Sequence, residues 1–119
     1  MHTETYTHTH THTCIHTYSK YFSTTGKPPI VFIHGSFHGS WCWAELWMPF
    51  FARNGFACYA MTLRGTSATP QVGDAKNVQL AEHIADLTAF IQSVVPGSTA
   101  PILIGHSFGG MYAQASGIP

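Results

Sequence analysis

The chain has 119 residues, 45% of them apolar and only 8% charged, and its five basic and five acidic side chains cancel. A neutral chain without a basic stripe has no electrostatic footing for nucleic acid, and no apolar run approaches the roughly 20 residues of a membrane-spanning helix. The length permits one domain with a small core, and so few charges suit an interior piece of an α/β protein better than a free-standing domain.

Residues 2–13 alternate Thr and His almost strictly. A histidine-rich tract can hold metal, but alternating histidines in a disordered tail chelate weakly and without fixed geometry. The expectation is disorder over residues 1–13, with no metal site. The tract has neither the apolar core of a secretory signal nor the arginines of a transit peptide. The compartment expected is the cytoplasm, with a plastid as the alternative. Residues 15–24 alternate weakly and suit an edge strand, and Gly26-Lys27-Pro28-Pro29 punctuates the chain. The division expected is therefore a tail over 1–27 and a folded unit over 28–119.

From there the pattern sharpens. Ile30-Val31-Phe32-Ile33 is a continuous, largely β-branched run, the signature of a strand buried on both faces of a parallel sheet. Trp43 to Asn54 has helical spacing and Gly55 as its stop, but Pro49 either kinks that helix or belongs to the first turn of one that starts later. Residues 56–61 read as a second buried strand and 64–77 as a polar loop. A helix is expected over about 78–95, with Leu80, Ile84, Leu87, Ile91 and Val94 on one stripe. Ile102-Leu103-Ile104 is the third buried strand, and residues 110–115 open a last helix. Alternating strands and helices imply a parallel sheet of three strands with right-handed crossovers and flanking helices. If the first buried strand lies between the other two, a topological switch falls where His34-Gly35-Ser36 and His106-Ser107 end their strands, and ligands bind at such points.

The densest chemical signal is Gly105-His106-Ser107-Phe108-Gly109, a G-x-S-x-G pattern behind a strand and ahead of a helix. This is the context of a nucleophile elbow, in which a strained turn presents a serine hydroxyl and flanking glycines let strand and helix approach. Such a serine needs a general base, an orienting acid and two N–H donors for the oxyanion. The donors expected are the amide of Phe108 and that of Ser36, in the loop that Gly35 lets turn back. No histidine or carboxylate follows Ser107 in the sequence. Of the groups that precede it, His34 is expected to bond loop backbone, His83 to be a satisfied packing histidine, His106 to point away from the hydroxyl, and Asp86 to lie on a helix away from the strand tips. Cys14, Cys42 and Cys58 are odd in number and widely spaced, and read as free thiols in a reducing compartment.

Residues 30–43, Ile-Val-Phe-Ile-His-Gly-Ser-Phe-His-Gly-Ser-Trp-Cys-Trp, resemble the oxyanion segment of α/β-hydrolases, most closely the plant branch of methylesterases and hydroxynitrile lyases. Leu63-Arg64-Gly65-Thr66-Ser67 resembles the loop after the next strand, with Thr62 where many members have Asp. Residues 105–111 complete a likeness that runs over 28–115. The resemblance implies a partial α/β-hydrolase fold whose later strands are missing. It implies Ser107 as nucleophile, Ser36 and Phe108 as oxyanion-hole residues, Gly35, Gly105 and Gly109 as elbow and loop glycines, and no cofactor. The activity implied is hydrolysis of a small acyl or ester substrate through an acyl-serine, in a chain truncated before its acid and histidine. The alternative is a catalytically inactive fragment or a small-molecule binding module.

Overall fold

A computed structural model describes residues 3–9, 15–21, 26–66, 78–95, 97 and 99–117. Among the described residues, five strands form one sheet: β1 (Thr3–Thr9), β2 (Ile15–Tyr21), β3 (Ile30–Ile33), β4 (Cys58–Met61) and β5 (Ile102–Gly105), in the order β1-β2-β4-β3-β5. Strand β3 pairs in parallel with β4 on one side and with β5 on the other, so the three-stranded parallel core has its first strand in the middle, and the switch lies between β3 and β5. Strands β1 and β2 extend the sheet antiparallel beyond β4.

That extension differs from the sequence reading. Thr3–Thr9 forms strand where disorder was expected, and β2 is an inner strand paired on both sides. The physical reason lies in the same alternation: β-branched threonine at every second position suits a pleated backbone, and the period of two matches a strand. Residues 10–13 of the tail, the loop over 67–77 and Cys14 lie outside the described residues.

Helices cover both faces. Side chains of β3, β4 and β5 alternate, so Ile30, Phe32, Cys58, Ala60 and Ile104 join one core with Trp43 and Met48, from α1 (Trp41–Ala44) and α2 (Trp47–Arg53). Val31, Ile33, Tyr59, Met61 and Leu103 join the other, against α3 (Leu80–Val94) and α4 (Phe108–Ala115). The stretch read as one helix from Trp43 is two, and Pro49 sits at the third position of α2, in the first turn, where a missing N–H is harmless. Gly55, at φ 96°, ends α2 in a Schellman motif: Gly55 N–H donates to Ala52 O at 3.1 Å and Phe56 N–H to Phe51 O at 3.1 Å. On α3 the buried stripe is His83, Asp86, Leu87, Phe90 and Ile91, and Leu80 is exposed. The first turns of α3 thus meet polar groups of the β4 loop, described below, while only its later turns reach the core.

Two glycines let α4 sit against the sheet. A Cβ on Gly109 would overlap Ile33 O and stand 2.6 Å from His34 O, and one on Gly105 would stand 2.5 Å from Gly109 C and O and Gly110 N. Gly110, one residue on, has 3.6 Å to its nearest neighbour, Gly105 O, which is ordinary contact. Gly109→Ala is therefore expected to cost about 3 kcal/mol or more by overpacking against fixed backbone. Gly110→Ala should leave stability unchanged or raise it by up to about 1 kcal/mol through helix propensity. Urea unfolding of the two variants checks the contrast, and equal effects would mean that the helix does not approach β3 this closely.

Candidate active site

Ser107 is held at φ 56°, ψ −123°, a conformation that costs an L-residue about 1–3 kcal/mol and persists only where surrounding structure imposes it. The imposition comes from both sides. His106 N–H donates to Ile33 O at 3.0 Å, tying the end of β5 to the end of β3, and Gly109 N–H donates to His106 O at 2.9 Å, starting α4 at once. The chain must reverse within the two residues, His106 and Ser107, that separate β5 from α4, and Ser107 is left exposed at the tip.

The loop after β3 lies against that tip. A Cβ on Gly35 would stand 3.0 Å from His106 Nδ1 and O and 3.1 Å from Ser107 Cβ. Ser36 follows and is exposed, and Phe37, at φ 64°, is 97% exposed and turns the chain away. Among the described residues, no backbone acceptor takes the N–H of Ser36 or of Phe108, the first residue of α4.

Buried polar anchors hold this loop. His34 is fully buried, with Nδ1 2.6 Å from Gly35 O and Nε2 accepting the Leu63 N–H at 2.9 Å. The ring is therefore neutral with its proton on Nδ1, and it joins the β3 and β4 loops through both nitrogens. Burial holds its pKa below the ordinary value, helped by the nearby His38 and His83 and opposed by the bond to Gly35 O. A second anchor is Thr62: its Oγ1 accepts the Ser40 N–H at 2.9 Å and donates to Ser40 Oγ at 3.1 Å. Thr62 and Ser40 are both buried.

The other titratable groups sort as follows. Asp86 takes the Arg64 guanidinium bidentately, from Nε and Nη2 at 2.9 Å each, and Glu82 lies 3.8 Å from the same group, so this carboxylate is spent holding the β4 loop to α3. His106 faces Gly35 and His38, with the two rings 6.2 Å apart. His83 is only 9% exposed and stacks on Tyr112 of α4 at 4.8 Å, but among the described residues its buried Nδ1 has no hydrogen-bond partner. It packs, as the sequence suggested, but no described residue satisfies that nitrogen. Burial lowers its pKa, with Arg64 acting in the same direction and Asp86 and Glu82 against. Cys42 and Cys58 are free, and burial pushes the Cys58 thiol up to about 12.

Beside the elbow is a cleft of about 500 Å³ whose lining includes Ser36, Phe108, Arg64, Thr66, His83 and Tyr112. That volume is within the range of small-molecule sites. Ser36 and Phe108, the residues expected to supply the two N–H donors, thus border one space. Among the described residues, no three His, Cys, Asp or Glu side chains converge as a metal site would need, and no helix is long and apolar enough to cross a membrane.

Comparison with known proteins agrees with this fold. The family described as the alpha/beta hydrolase family matches residues 30–118. The chain belongs to that family. Methylesterase 10 of Arabidopsis thaliana is 34% identical over 82 residues, which cover 68% of this chain and 28% of the relative. Norfluorocurarine synthase 1 of a Strychnos species is 34% identical over 80 residues, 67% of this chain and 29% of its own. Among solved structures, a laboratory-evolved potato epoxide hydrolase superposes with TM-score 0.82 at 19% identity, covering 97% of this chain and 35% of that one. The thioesterase domain from the curacin biosynthetic pathway gives 0.80 at 21%, covering 97% and 39%. The sheet with its flanking helices is thus a partial alpha/beta hydrolase fold, and the chain spans about a third of the length of the relatives it matches.

Sequence reasoning located the two loops and gave His34 its backbone-bonding role, but missed the Thr62–Ser40 anchor and the partner His34 finds on the β4 loop. Ser40 and Thr62 are 22 residues apart, and His34 meets Leu63 across 29. Such pairings follow from the β3–β4 register and have no local signature. Their pH consequence has a definite sign. His34 and His83 both have pKa values below the ordinary 6.5 of the unfolded chain, so the unfolded state binds more protons at mild acidity. Stability should be full above about pH 6.5 and fall as the pH drops from there toward the lowered folded-state values. His34→Gln should cost about 1–3 kcal/mol at pH 7.5 through imperfect pairing of the buried Leu63 N–H and Gly35 O, and should reduce the acid slope. Thermal melts from pH 8 to 5 test both, and an acid slope unchanged by the substitution would contradict the assignment.

Proposed function

We propose that this chain carries the nucleophile and oxyanion half of a serine hydrolase that acts on small ester-like substrates, with Ser107 as the nucleophile. The observation that supports this most is the backbone of Ser107 at φ 56°, ψ −123°, beside a loop that approaches its Cβ within van der Waals range. Strain of this kind is uncommon outside functional sites, and here it lifts a hydroxyl into solvent at the border of a cleft. In the reading offered, Ser107 Oγ attacks an acyl carbon, and the carbonyl oxygen becomes an oxyanion stabilised by the N–H groups of Ser36 and Phe108. Those donors are worth most because they are fixed before the reaction and need no reorganisation during it. The methylesterase names of the relatives favour an ester as the acyl donor.

A general base is also needed, and His34, with both nitrogens engaged, does not serve. That observation favours a second reading, a half-site that binds a small acid or ester without turning it over. A fluorophosphonate probe separates the two. In the first reading, folded protein labels slowly at Ser107, the Ser107→Ala variant does not label, and Gly35→Val slows labelling at least tenfold by displacing the Ser36 amide. No labelling of Ser107 in folded protein, with a small carboxylic acid still bound, would establish the second.

A further inference from the structure

Two polar side chains that line the cleft, His83 of α3 and Tyr112 of α4, make no side-chain hydrogen bond among the described residues. Their rings stack with centroids 4.8 Å apart and planes inclined by 25°. Their polar neighbours in the cleft are committed elsewhere. Arg64 holds Asp86 bidentately, and Thr66 Oγ1 donates to Leu63 O at 2.6 Å.

The two nitrogens of His83 are not equivalent. The residue is 9% exposed, and its Nδ1 is sealed from solvent without a partner, whereas Nε2 is not sealed. Because the residues around Nδ1 already enclose it, no further group reaches that atom without displacing them. This enclosure assigns the tautomer. A buried N–H without an acceptor is rarer in proteins than an under-used acceptor. The proton therefore belongs on Nε2, the position that free histidine also prefers. Burial lowers the pKa of the ring and keeps it neutral, with Arg64 acting in the same direction and Asp86 and Glu82 against. His83 thus offers the cleft one uncharged N–H donor, and the stack on Tyr112 fixes the plane in which that donor lies.

Charge in the cleft is already matched. Among the described lining residues only Arg64 is charged, and its guanidinium faces Asp86 at 2.9 Å and Glu82 at 3.8 Å. No unmatched cation among these residues favours an anionic ligand, so a neutral oxygen suits the His83 donor better than a carboxylate.

We propose that His83 is a specificity contact, whose Nε2–H donates to an uncharged ketone or ether oxygen that the substrate carries in addition to its ester carbonyl. This rests on the cleft taking a small ester, as proposed above, and narrows the class of ester. The ester carbonyl lies at the amides of Ser36 and Phe108, and the second oxygen lies toward α3. A site built to pair a polar group discriminates against the analogue that lacks it, because its own donor is then left unpaired in a desolvated cleft.

The test uses the full chain with its histidine ring nitrogens isotopically labelled. It is titrated with methyl hexanoate and with analogues carrying a ketone at the third, fourth or fifth carbon. The free protein should show an unprotonated Nδ1 and a protonated Nε2 at His83. At least one keto ester should bind at least tenfold more tightly than methyl hexanoate and move the Nε2–H proton downfield. That preference should vanish in His83→Phe, which keeps the stack, and in His83→Asn, whose amide nitrogen stands near the Nδ1 position. It should largely survive in His83→Gln, whose amide nitrogen reaches the Nε2 position. A proton on Nδ1, no keto ester that outbinds methyl hexanoate, or a preference that persists in His83→Phe would overturn the proposal. If His83→Phe unfolds, the Nε2–H shift in the wild-type protein decides. Fluorophosphonate labelling run in parallel keeps the two claims apart: an unlabelled Ser107 would count against the nucleophile, while the binding comparison would still decide the role of His83.

Discussion

Everything at the elbow depends on the distance between the start of α4 and the end of β3. Gly109 rests on the carbonyls of Ile33 and His34 closely enough that no Cβ fits, and Gly105 faces Gly109 and Gly110 just as tightly. With helix and strand so close, the connecting turn has only His106 and Ser107 in which to reverse, and Ser107 takes the strained conformation because no relaxed one spans the gap. The strain is local, but the restraint on it is distributed: it draws on the β3–β5 ladder, on the His106–Ile33 hydrogen bond and on the packing of Leu103 and of Tyr112, from α4, against the core.

The loop facing the elbow is held differently. Its backbone is irregular, so ladder bonds cannot fix it, and two buried polar side chains do so instead. His34 bonds Gly35 within the loop and Leu63 across it, while Thr62 pins Ser40 at the far end. Both reach between β3 and β4, which makes the loop an extension of the sheet. Arg64 and Asp86 continue the chain of contacts to α3, and the stack of His83 on Tyr112 carries it back to α4. The cleft is thus enclosed by elements that each lean on the next, the arrangement a preorganised site requires.

Much of this was legible in the sequence, for reasons that differ by element. Ile30–Ile33 was read with its observed bounds because a β-branched run between Pro29 and Gly35 admits little else. The sequence raised the place of β3 between its parallel neighbours only as a condition, and the structure meets it. The elbow was legible because its glycines answer to sterics, which is why the spacing of Gly105 and Gly109 around Ser107 carries information. The break between α1 and α2 was half visible, since Pro49 demanded a first turn but did not say that Ala44 would end a separate helix. The stripe on α3 was misplaced by periodicity alone, because His83 and Asp86 turn inward for polar partners and Leu80 turns out. Of the N-terminal strands, β2 was read as an edge strand, and β1 was missed because Thr-His repeats look like low complexity, although the same alternation fits a pleat.

The central claim is that Ser107 stands where the amides of Ser36 and Phe108 converge on one oxygen. The most direct measurement is the amide spectrum of the isotopically labelled protein before and after a phosphonate is attached to Ser107. The account requires the Ser36 and Phe108 N–H resonances to move downfield together as they bond the phosphonyl oxygen, with more distant amides such as that of Phe90 unmoved. An adduct that forms while both resonances stay in place would contradict it.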